Sequence, residues 1–178
     1  MEEHERQLVL EHLKASREQL LALVDGLTAE QWKFQPAADR WSINECLEHV
    51  IRVENRVAGI VRTKLGEGGP DAGERARVDD AVLLAALPDR SVGRQAPEPA
   101  RPTGQWPDGD ELLAEFAKTR QRTVHFAATA NADLRNYFHP HAAFGELDCY
   151  QWLLVLSLHG SRHAKQIEEI KAAPGFPA

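Results

Sequence analysis

Cysteine is scarce in this sequence: Cys46 and Cys149 are the two among 178 residues, and they form no CxxC pair. That excludes a disulfide scaffold and a CxxC zinc or redox motif, and leaves two reduced, buried thiols as the expectation. Basic charge is in deficit too. Lys and Arg number 21 against 27 Asp and Glu, a formal net charge of -6. A nucleic-acid binder usually carries a basic stripe, so nucleic acid is not an expected partner. Long apolar runs are missing. The longest, Trp152 to Leu158, is interrupted by Ser157 and falls far short of the ~20 residues that cross a bilayer, so no membrane role is expected. The opening MEEHERQLVLEHL has neither an apolar leader core nor a cleavage site, which points to a cytoplasmic protein. Strand signals are also few, with no alternating run bounded by turn residues.

What the sequence does contain is helical periodicity. One domain over residues 1–178 is expected, with a loop-rich insertion at about 66–110. The first helix spans about Glu3 to Asp25, with Leu10, Leu13, Leu20, Leu21 and Val24 at helical spacing and Gly26 as its stop. Thr28 and Gln31 then form a capping box for one short turn, ended before Pro36. A second box, Ser42 with Glu45, opens a long helix whose apolar face is Ile43, Cys46, Leu47, Val50, Val53, Val57, Ile60 and Val61. It fades near Leu65, before a Gly- and Pro-rich run. The following stretch to Asp110 should be irregular, apart from a short helix from Asp80 to Leu87. A third long helix presents Leu112, Leu113, Phe116, Val124 and Ala127. The last begins at the box Asp148–Gln151 and stops at Pro174-Gly175. Four such helices with no sheet to cover pack as an all-α bundle.

Eight histidines are present. His4 and His12 sit among charges on the first helix and read as solvated. His125 reads as a helix-surface position, and His139 and His141 flank Pro140 in a connection. His159 and His163 differ. With 100° of rotation per residue they fall in the middle of the face carrying Trp152, Leu156, Ile167 and Ile170, one turn apart. Imidazoles at i and i+4 can bind one ion, the spacing used in HExxH. Here Gly160 and Ser161 fill the intervening positions, so no glutamate base stands beside the first histidine. The pair alone is compatible with a metal or with two hydrogen-bonded core histidines. Burying both without partners would cost on the order of 1–3 kcal/mol each. His49 lies on the edge of the second long helix's apolar stripe, which suits a residue lining a cleft, but taken alone it reads as a boundary histidine.

The runs WSINECLEHV from Trp41 to Val50, HPHAAFGEL from His139 to Leu147, LHGSRHAKQI from Leu158 to Ile167, and LTAEQW from Leu27 to Trp32 resemble DinB-like proteins. That group includes bacillithiol S-transferases and their relatives. The resemblance runs from the first helix to Ile170 and is weakest over the insertion. It implies a DinB-like four-helix bundle with up-down-down-up connectivity, the long connection letting the second and third long helices run parallel. It further implies a divalent metal held by His49, His159 and His163, with nickel or zinc the leading ions, and a homodimer.

On reaction type the resemblance says less. A thiol S-transferase with a low-molecular-weight thiol and a small-molecule substrate is one expectation, and a metal-dependent hydrolase is another. A non-enzymatic, stress-associated metal-binding bundle is the third. No acid or base is assigned. Glu45 reads as a cap, and Cys46 reads as an inert core thiol. Trp106, on the long connection, is placed to cover the cleft.

Overall fold

Each long helix begins where a side chain takes over the backbone donors that a first turn leaves free. The computed structural model describes residues 1–67, 78–93 and 95–178. Part of the expected insertion, residues 68–77 and 94, lies outside them. Glu2 caps α1 (Glu3–Val24) and Thr28 caps the short α2 (Ala29–Lys33). Ser42 caps α3 (Ile43–Gly66), with Glu45 returning the bond to the Ser42 backbone N–H. Asp79 caps α4 (Asp80–Ala86), Asp108 caps α5 (Gly109–Thr129), and Asp148 caps α6 (Cys149–Lys171). No helix among the described residues is long and apolar enough to cross a membrane.

The helix directions follow from named contacts. Arg6 donates to the Ala127 and Ala130 carbonyls, while Arg120 donates to the Leu13 carbonyl, so α1 and α5 run oppositely. Gly160 of α6 abuts Ser16, and Lys171 donates to the Leu23 carbonyl, so α1 and α6 run together. Asn44 reaches the Trp106 carbonyl and Glu54 meets Arg120, so α3 and α5 are parallel. The order is up-down-down-up, as the resemblance implied. Parallel neighbours need a connection that returns the full height of the bundle, and the segment between α3 and α5 supplies it.

Two expectations are corrected. A two-stranded antiparallel hairpin, β1 (Phe138–His141) and β2 (Gly145–Asp148), pairs Phe138 with Asp148 and His141 with Gly145. Each strand is four residues long and β1 contains Pro140, so no run of alternation was available to reveal it. Gly145 adopts φ +72°, which favours glycine. The second concerns α6, read from sequence as carrying one apolar face with Trp152, Leu156, Ile167 and Ile170. Every residue from Cys149 to Leu158 is buried, so its first half has no solvent face. It is the central helix, packed by α1, α3 and α4.

The apolar core falls into two parts. One gathers Leu13, Val57, Leu83, Leu134 and Tyr150 around the start of α6. The other gathers Leu20, Leu47, Ile51, Phe116 and Ile167 around its end. Between them, the middles of the four long helices contribute Ser16, Glu54, Arg120 and Gly160, and the histidines adjoin this layer.

Candidate metal centre

His49 stands two turns into α3, and His159 and His163 stand one turn apart on α6. α3 packs against α6, and His49 meets the α6 pair from the facing helix. The structure brings all three rings together. His159 Nε2 lies 3.2 Å from His49 Nε2 and 3.1 Å from His163 Nε2. Three ligand-type nitrogens, one per ring, lie within 4.8 Å of one another. Two imidazole nitrogens bound to one ion at ~2.0–2.1 Å lie ~2.9–3.4 Å apart for angles from square to tetrahedral. The spacing therefore fits a shared cation. Trp41 packs its ring against His49 at 4.8 Å and against His163 at 6.3 Å between centroids.

The outer nitrogens settle the tautomers. His49 Nδ1 lies 2.6 Å from the Ala100 carbonyl, which can only accept, so Nδ1 carries the proton. His163 Nδ1 lies 2.9 Å from Gln166 Oε1, an oxygen that also accepts from Arg90. His163 Nδ1 is therefore protonated as well. Both Nε2 atoms then present lone pairs inward, and neutral His159 has one N–H to offer. One inward lone pair is left over, and a cation bound there would satisfy it. Burial pushes the His49 imidazole below its usual range, and the Ala100 bond partly opposes that. Burial, followed by the mutual repulsion of the charged forms, holds His159 and His163 well below theirs. Metal ligation requires the neutral, deprotonated form that this environment favours.

Directly beneath the centre is a charge pair. Arg120 donates to both oxygens of Glu54 at 3.0–3.2 Å, and also to the Leu13 carbonyl and Ser16 Oγ. A Cβ at Gly160 would come within 2.8 Å of Ser16 Cβ, so a glycine beside His159 lets α1 and α6 touch at this level.

Glu45 closes the α3 capping box by accepting from the Ser42 N–H, and also accepts from Gln35. Cys46 is fully buried, and burial pushes its thiol far up, against any role as a nucleophile. His4 and His125 are exposed. His12 departs from expectation: it is half-buried, and its Nε2 is shielded with no partner among the described residues. His139 and His141 lie on the hairpin against Trp152, at 5.8 and 5.0 Å between centroids. Trp106 is half-buried, with its carbonyl held by Asn44. Sequence reasoning missed Ala100 and Gln166 as partners of the ligand-type rings, and Arg90 as the second donor to Gln166. Ala100 acts through its backbone, which no side-chain pattern marks. Gln166 was in principle visible, three residues after His163 on the same helix.

A helical bundle with three convergent imidazoles at mid-height belongs to the class of proteins that could hold a divalent metal between helices. The profile of the DinB superfamily matches residues 12–167, and the chain belongs to that superfamily. It is 28% identical over 147 residues to the uncharacterized protein YuaE of Bacillus subtilis (strain 168), covering 82% of this chain and 86% of that one.

Proposed function

We propose that this protein is a metal-dependent enzyme in which His49, His159 and His163 hold one divalent ion, nickel or zinc, to activate a low-molecular-weight thiol for S-transfer. The observation that carries the metal reading is the surplus of inward lone pairs at Nε2 of the three rings. When bound, the ion would supply Lewis acidity and lower the pKa of a thiol or water in its open positions. The chain's own part is to keep the imidazoles neutral, to orient them through Ala100 and Gln166, and to wall the cleft with Trp41. S-transfer forms a carbon–sulfur bond on an electrophilic small molecule. The leaving group departs with its electron pair, and the thiol releases its proton. No glutamate adjoins His159, so the motif lacks the general base that hydrolytic HExxH sites place there. This favours a nucleophile that ionises readily, as a thiol does.

The test begins with elemental analysis of purified protein, where about one nickel or zinc per chain is expected. Electrophiles are then screened with several thiols. Thiol-dependent turnover supports the transferase. Ester or amide hydrolysis without thiol would replace it with a hydrolase. No turnover in a metal-loaded protein would favour a non-enzymatic bundle. Sedimentation in the same preparation tests the homodimer.

A further inference from the structure

Glu48 precedes His49 on α3 and is wholly buried, yet no cation is bonded to its carboxylate among the contacts of the described residues. It accepts three hydrogen bonds instead, from the Thr103 N–H at 2.8 Å, the Thr103 hydroxyl at 2.9 Å and the Gly104 N–H at 2.9 Å. A buried carboxylate is costly to desolvate, so three short bonds to one loop make that loop's position highly specified. Four residues on, Arg52 donates to the Pro99 carbonyl at 3.1 Å and to Thr103 Oγ1 at 3.4 Å. Four residues earlier, Asn44 holds the Trp106 carbonyl at 3.1 Å. Asn44, Glu48 and Arg52 thus form one row on α3, and the segment from Pro99 to Trp106 is laid along it. Ala100, in the short 3₁₀ turn Glu98–Ala100, points its carbonyl from this segment onto His49 Nδ1.

We infer that Glu48 is a positioning residue for the centre: it fixes the Pro99–Trp106 strap so that the Ala100 carbonyl holds His49 in the Nδ1–H tautomer, with Nε2 free to ligate. Outer partners of ligating imidazoles set ring orientation and basicity. Here the partner is a backbone carbonyl on a long connection, which has no fixed place of its own. His163 needs no such device, because Gln166 lies on its own helix. The strap is therefore required by one ligand of three, and the tautomer of His49 reports its position.

This inference rests on the metal reading for its consequence, but its structural core is testable without metal. The ring nitrogens of His49 and His163 are followed by two-bond ¹H–¹⁵N correlation in the metal-free protein, and nickel and zinc affinities are measured by chelator competition. In the parent protein both rings should show the Nδ1–H tautomer. In Glu48→Gln the side-chain amide faces the Gly104 N–H donor to donor, so the strap should loosen. His49 should move to a tautomer mixture while His163 stays unchanged, and metal affinity should fall about 10–100-fold. Gly104→Ala is the second variant, should Glu48→Gln fail to fold. Gly104 has φ +74° with open space around it, so alanine strains the strap without touching the core. The same selective shift at His49 is expected. If His49 keeps its tautomer in whichever of these variants folds, the inference is overturned. If the parent protein binds neither ion while the tautomers respond as described, the metal reading fails and the positioning role stands.

Discussion

Around Arg120 all three guanidinium nitrogens have acceptors, whereas around His159 the inward lone pairs outnumber the protons. The two clusters are neighbours in the middle of the same bundle. The first pairs a buried cation with a buried anion and completes the set with the Leu13 carbonyl and Ser16. The second gathers three like groups: the outer nitrogens of His49 and His163 are satisfied, and the inner Nε2 atoms share too few protons among them. A saturated cluster is a fastening, because removing a member exposes the others to a dry interior. An unsaturated cluster is a receptor, because something must be added to complete it. Side by side, the fastening gives the receptor its rigidity.

Arg120 is where substitution should do the most damage. Arg120→Met leaves Glu54 buried without its partner and should cost about 3–5 kcal/mol, measured by urea denaturation. The double variant Arg120→Met, Glu54→Leu should recover most of that loss. A single variant no less stable than the double would show that the pair is not a fastening. At the receptor, His159→Ala should abolish stoichiometric metal while the metal-free fold persists. Excess nickel or zinc at 100 times Kd should stabilise the parent protein by about 2.7 kcal/mol and leave the variant unmoved. Metal content that survives this change would sink the site. Gly160→Ala tests the contact between the clusters. The new methyl collides with Ser16, and overpacking costs about 1–3 kcal/mol, offset by up to about 1 kcal/mol of helix propensity. We expect a net loss near 1 kcal/mol, together with weaker metal binding. The smallest effect concerns pH. The three imidazoles have folded-state values below that of a free histidine, so the unfolded chain binds more protons below about pH 6.5. Their contribution to stability is present above that pH and is lost as pH falls. Denaturation of metal-free protein at pH 8 and pH 5.5 should show this, with a shallower dependence in His159→Ala.

The fold was legible where local rules act alone. Capping boxes at Thr28, Ser42 and Asp148 and the stops at Gly26 and Pro174 placed the helices to within a residue or two. Periodicity was less reliable for burial. Val9 and Ser16 are buried on α1, while the expected Leu10 and Leu21 are half-exposed. Glu48, Glu54 and Arg120 look like surface charges in sequence because their partners lie 50 or more residues away. Helical phase paired His159 with His163 but could not carry His49 across the cleft. Family resemblance supplied that step, and packing of antiparallel α3 and α6 accounts for it.

The central position of α6 also constrains how the chain is made. Domains form as units during synthesis, and contacts distant in sequence are the slow ones to establish. Two of the three imidazoles and the hub of both apolar clusters lie on α6, which leaves the ribosome after α1, α3 and α5. Until then α1, α3 and α5 have no common partner, and His49 faces a gap. Any loading of the three-histidine centre therefore waits on the synthesis of α6. A ribosome stalled between His49 and Cys149 carries a nascent chain with one of the three imidazoles and an open apolar groove, a substrate for chaperones.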